Sequence, residues 1–140
     1  MNRTTDAILR TFALFAVAIV ALIAADPAAA ATVPTTQSIS VTRGGGFAGR
    51  TEHFVVDQNS DDQRAQQALN LAAQPQFRRL APEYLPENTC CDRFTYRVVA
   101  VYNSGVSKTV VTMDGVENTP PVLFEVIDAV VSADASATVE

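Results

Sequence analysis

The chain has 140 residues, of which 48% are apolar and 18% charged, with a net charge of −5, a single His, two Cys and no Trp. This is too apolar and too weakly charged for a wholly disordered protein, and two Cys are too few for a disulfide-stapled scaffold. The acidic balance speaks against a nucleic-acid binder, which needs basic charge to displace counterions, and one His excludes a multi-histidine metal or acid–base site within one chain.

The N-terminus has its own character. Arg3 and Arg10 precede an apolar block over residues 11–25, followed by Asp26-Pro27 and a run of Ala at 28–31. This three-part order predicts a secretory signal peptide over residues 1–31, cut after Ala30 or Ala31. The block is shorter than the roughly 20 residues of a membrane-spanning helix. The expected product is therefore a secreted or periplasmic protein with no membrane association after signal cleavage. Residues 32–37 are polar with one Pro and read as a flexible lead-in.

Along 38–42, Ile39 and Val41 alternate with Ser38, Ser40 and Thr42, the pattern of a half-buried strand. Residues 43–50 form a glycine-rich turn. Residues 51–57, with Phe54, Val55 and Val56, return as a second strand, so the two make a hairpin. A polar turn over 58–62 places Ser60 or Asp61 to cap a helix. Ala65, Ala68, Leu69 and Ala72 follow helical spacing, and Pro75 should end or kink that helix. Residues 77–86 are a Pro-broken stretch, and 87–91 a loop.

The clearest strand is 94–102, with Phe94, Tyr96, Val98, Ala100 and Tyr102 on one face. Asn103-Ser104-Gly105 turns the chain into a Val- and Thr-rich strand over 106–113. Thr119-Pro120-Pro121 reads as an N-cap followed by Pro in the first helical turn. Leu123, Val126, Ile127, Val130 and Val131 then form an apolar stripe. The small, polar residues 132–140 read as a flexible tail. The order ββαββα predicts an α+β domain over residues 38–131: a four-stranded antiparallel sheet with two helices on one face.

Few residues offer chemistry. Gly44-Gly45-Gly46-Phe47-Ala48-Gly49 matches GxGxxG by letter, but that pattern binds a pyrophosphate only where it opens a helix. Here a strand follows, so no nucleotide cofactor is expected. Two other readings of the loop stay open. In one it is a long hairpin turn, with glycines at positive φ and Phe47 folded back onto the core. In the other it is a recognition loop, with Phe47 at the tip offered to a partner's apolar pocket. His53 lies mid-strand with no nucleophile identifiable beside it, and reads as structural or surface. Asp61-Asp62 suits a helix start better than acid–base catalysis. Adjacent Cys90 and Cys91 lack CxxC spacing; they are two buried thiols, a strained vicinal ring, or a bond to another chain. No zinc site can be assembled from them and His53.

The segment 39–49, Ile-Ser-Val-Thr-Arg-Gly-Gly-Gly-Phe-Ala-Gly, resembles the N-terminal signature of the emfourin family, small protein inhibitors of thermolysin-like metallopeptidases. Asp92-Arg93-Phe94-Thr95-Tyr96 is similar to that family's Asp-x-Phe-x-Tyr strand start, and the helix carrying Leu123 to Val131 also fits. The resemblance implies a non-enzyme whose partner is a thermolysin-like zinc metallopeptidase, blocked by exclusion. The residues expected to meet that partner are Arg43, Gly44, Gly45, Gly46, Phe47, Ala48 and Gly49, with Phe47 filling the enzyme's apolar pocket. An exported binding or accessory module with another envelope or extracellular partner is the alternative. A small hydrolase would need a nucleophile–base set that the sequence does not display.

Overall fold

The computed structural model of the chain describes residues 33–88 and 92–137. The expected signal peptide, and the pair Cys90 and Cys91, lie outside the described residues. Strands β1 (Thr36–Gly45) and β2 (Arg50–Asp57) form the first hairpin. Helices α1 (Gln63–Ala73) and α2 (Pro75–Arg78) follow, then a two-residue strand β3 (Glu83–Tyr84), strands β4 (Phe94–Tyr102) and β5 (Ser107–Met113), and helix α3 (Pro121–Ala137).

The α+β class and both hairpins are as the alternation predicts, but the sheet has five strands in the order β2-β1-β4-β5-β3 and is mixed. The expected four-stranded antiparallel sheet is corrected by β3. It runs parallel to β5, pairing Glu83 with Val111 and Tyr84 with Thr112, and the Val111 N–H donates to Pro82 O at 2.9 Å. The described residues also form three helices, since Pro75 starts a separate short turn, α2, whose Phe77 is fully buried. β1 begins at Thr36, inside the segment read as a lead-in, and α3 continues past Val131 to Ala137. Ala133 extends the buried stripe of α3 by another step of three.

β1 is the sheet's pivot. It pairs antiparallel with β2 from Ser38–Asp57 to Gly45–Arg50, and with β4 from Thr36–Tyr102 to Gly45–Phe94, with a bulge between Thr36 and Ser38. Ile39 and Val41 stand opposite Ala100 and Val98, and these residues pack with Val56 and Val110 into one core with the helices. α1 contributes mainly Ala65, Ala68 and Ala72, all fully buried. Such small side chains let it lie close against both the sheet and α3, which supplies the bulk through Leu123, Val126, Ile127 and Val130.

The cap of α1 is Asp62 and neither Ser60 nor Asp61: its carboxylate accepts from the Arg64 and Ala65 N–H groups at 2.7 and 3.2 Å. Thr119 precedes α3 by two residues, and its buried hydroxyl lies 3.1 Å from that of Thr112 on β5. At the bulge, Thr36 is 5% exposed and its hydroxyl has no hydrogen-bond partner. Among the described residues, no helix is long and apolar enough to cross a membrane.

Candidate functional site: the anchored hairpin tip

The turn Gly46–Gly49 is closed by the Gly49 N–H donating to Gly46 O at 3.1 Å. A four-residue hairpin loop of this kind places its two middle residues, Phe47 and Ala48, at the apex. Both are exposed, and Phe47 is 96% exposed. The reading in which Phe47 folds back onto the core is therefore overturned. Burying a Phe yields roughly 1.5–3 kcal/mol, and within this chain that gain is not taken.

The base of the turn is tied to a third strand. Gly45 pairs across β1 with Arg50 on one side and Phe94 on the other, and the Gly46 N–H donates to Arg93 O at 3.3 Å. This close approach is what requires glycine at two positions. At Gly45 (φ 105°) a Cβ would lie 2.5 Å from Arg93 O; at Gly46 (φ 67°) it would lie 2.7 Å from Phe94 Cε1. Gly49, at φ 57°, has open space around it, so only its backbone conformation favours glycine.

Below the turn, Arg43 acts as a brace. The register sets it opposite Glu52 on β2 and Tyr96 on β4. Its Nε donates to Glu52 Oε2 at 2.7 Å, with Nη2 2.6 Å from the same oxygen. The guanidinium lies 5.2 Å from the Phe54 ring centroid and 5.0 Å from that of Phe94, within cation–π range of both. The hydrogen bond to Glu52 holds the Arg43 pKa above its ordinary value, against the opposing effect of partial burial.

The aromatic chain continues inward. Phe94 is 6.5 Å from Tyr96, which meets Phe124 of α3 edge-on at 6.3 Å and 85°. Burial, and secondarily the Asp114 carboxylate, raise the Tyr96 pKa. The tip is thus connected by side-chain stacking to the helical layer.

All seven residues from Arg43 to Gly49 fall at one end of the sheet, but they divide by position. Phe47 and Ala48 project from the apex, while Gly45 and Gly46 press against β4. Arg43, named with them from the sequence, has its guanidinium engaged within the chain. The supports Glu52, Phe54, Phe94 and Tyr96 are not identified by sequence reasoning, although a count back from a turn at 46–49 sets Arg43 opposite Glu52. His53 is exposed, 3.1 Å from the Thr42 hydroxyl through Nδ1, as a surface histidine. Among the described residues no group of His, Cys, Asp and Glu could hold a metal ion.

Comparison with known proteins bears on the family of the chain. No curated protein and no solved structure gives a significant match to the chain. The family model described as Emfourin matches residues 41–128, from the middle of β1 through the glycine-rich turn and the β4 segment into α3. The match spans more than half of the sequence, and the chain belongs to the emfourin family.

Proposed function

We propose that this chain is an exported inhibitor of a thermolysin-like zinc metallopeptidase, and that the Gly46–Gly49 turn enters the enzyme's cleft with Phe47 as its plug. Emfourins are an inhibitor family, which supports a protein partner of the metallopeptidase class and a role without catalysis of its own. The observation that carries the proposed mechanism is the pairing of a nearly fully exposed apolar ring with a rigid base.

The physical logic is exclusion. Thermolysin-like enzymes favour a large apolar side chain beside the scissile bond, so Phe47 offers the group their pocket takes. A loop already held by β4, Arg43 and two glycines loses little conformational freedom on docking, so more of the ring's burial energy is retained as affinity. The i to i+3 hydrogen bond keeps the apex folded, so it does not offer the extended backbone that a protease cleaves. Export, carried by residues 1–31, puts the inhibitor where secreted peptidases work.

Titration of thermolysin activity with the purified protein tests the reading. Activity should fall to near zero as inhibitor approaches the enzyme's concentration. Full activity at large molar excess would instead favour an exported accessory module with a different partner.

A further inference from the structure

At the end of β4 opposite Phe94, Tyr102 and the β4–β5 turn form one wall of a cleft of about 430 Å³. The other wall is the short helix α2 and the residue after it. Three cations line the space: Arg78 and Arg79 from α2 and its C-terminus, and Lys108 from β5. Ser104 and Ser107 add hydroxyl groups, and no carboxylate is among the described residues that line it. In a chain with a net charge of −5, this is a local inversion of sign.

Several features set the cleft apart from a scattering of surface charge. Among the described residues, none of the three cations forms an ion pair. Lys108 is positioned by donating to the Leu80 carbonyl, which uses one of its three N–H donors. The Tyr102 hydroxyl donates to Ala72 O at 3.0 Å, fixing the wall between strand and helix. Arg78 is close enough to Tyr102 to oppose, electrostatically, the upward shift that burial gives the phenol.

We infer that this cleft binds an oxyanion, a phosphate or carboxylate carried on a small organic body. Two guanidinium groups and an ammonium satisfy the anion, since charge-assisted hydrogen bonds to oxyanions are the strong class. Pro34, Pro75 and Val106 supply the apolar part of the lining. The volume falls within the roughly 300–1,000 Å³ of small-molecule sites. The site lies at the far end of β4 from the hairpin tip, and the two share no residue. It rests on residues that the proposed inhibition does not use.

The test is an amide NMR titration of the full chain, with inorganic phosphate in one series and citrate in another, ionic strength being held constant with sodium chloride. Saturable shifts are expected at the amides of Arg79, Ser104, Val106 and Lys108. Saturation by phosphate alone identifies a phosphate ligand, saturation by citrate alone a carboxylate ligand, and saturation by both a site for either oxyanion. The exposed pair Arg78→Gln with Arg79→Gln should weaken binding by about tenfold or more. Ser104→Glu, which places a carboxylate in the cleft, should do the same and carries the comparison if the double variant does not fold. No saturable shift up to about 10 mM of either anion, or unchanged affinity in the folded variants, would overturn the proposal.

Discussion

Replacing Phe47 by Ala separates the role of the tip from the stability of the fold. In the free protein the ring is 96% exposed, so its removal withdraws almost no apolar surface from the core. Substitutions at such sites typically change stability by no more than about 0.5 kcal/mol. In a complex where the ring fills an apolar pocket, its loss costs roughly 1.5–3 kcal/mol. At about 1.4 kcal/mol per factor of ten, the inhibition constant should rise about tenfold to more than a hundredfold. The assay is a pair of measurements on the same preparations: inhibition of a thermolysin-like peptidase, and the urea midpoint. The expected result is a large change in the first and none in the second. Equal inhibition by a folded Phe47→Ala protein would refute the plug and move the contact elsewhere. A parallel loss of stability would contradict the exposed placement of the ring.

The glycines at the base should rank by what surrounds them. Gly45→Ala, which meets the Arg93 carbonyl at positive φ, should cost at least about 2 kcal/mol in urea unfolding. Gly49→Ala, with open space around it, should cost about 1–2 kcal/mol from backbone strain alone; the reverse order would argue against the packing of the turn on β4. Thr36→Val replaces a buried hydroxyl lacking a partner by a group of similar shape, and should leave stability unchanged or raise it by about 1 kcal/mol. Tyr102→Phe removes the bond to Ala72 O and should cost about 0.5–1.5 kcal/mol near neutral pH. Burial chiefly raises the Tyr102 pKa and also raises that of Tyr96. The unfolded chain therefore releases its phenolic protons first, near pH 10, and stability is lost as pH climbs through the folded values. A thermal midpoint that holds steady across this alkaline range, or a tyrosine absorbance titration centred at or below pH 10 for both residues, would show the direction to be wrong.

What the sequence reveals of this fold follows the range of the forces involved. Alternation marks β1 and β4 because one face of each is buried, and helical spacing marks α1 through Ala65, Ala68, Leu69 and Ala72 for the same reason. Both signals are local. β3 has only two residues, set among prolines, and exists through parallel pairing with a strand far along the chain. No local period reports such a contact. The extent of α3 past Val131 is hidden because Ala133 carries little hydropathic weight, although it too is buried. Asp62 displaces Ser60 and Asp61 as the cap because three adjacent polar residues suit the role and only helix phase selects among them. At the tip, composition identifies a glycine-rich turn but leaves the direction of Phe47 open. That direction depends on Arg93 and Phe94, which fill the space beneath the turn.

The division between apex and base at the first hairpin has a consequence for how such a protein can diversify. Positions 47 and 48 face solvent, while the residues that fix their location sit at 43, 45, 46, 52, 54 and 94. Natural variation or a combinatorial library confined to the two outer positions can therefore change the side chains offered at the apex without touching what keeps the chain folded. A lineage can remake its exposed tip by editing two codons.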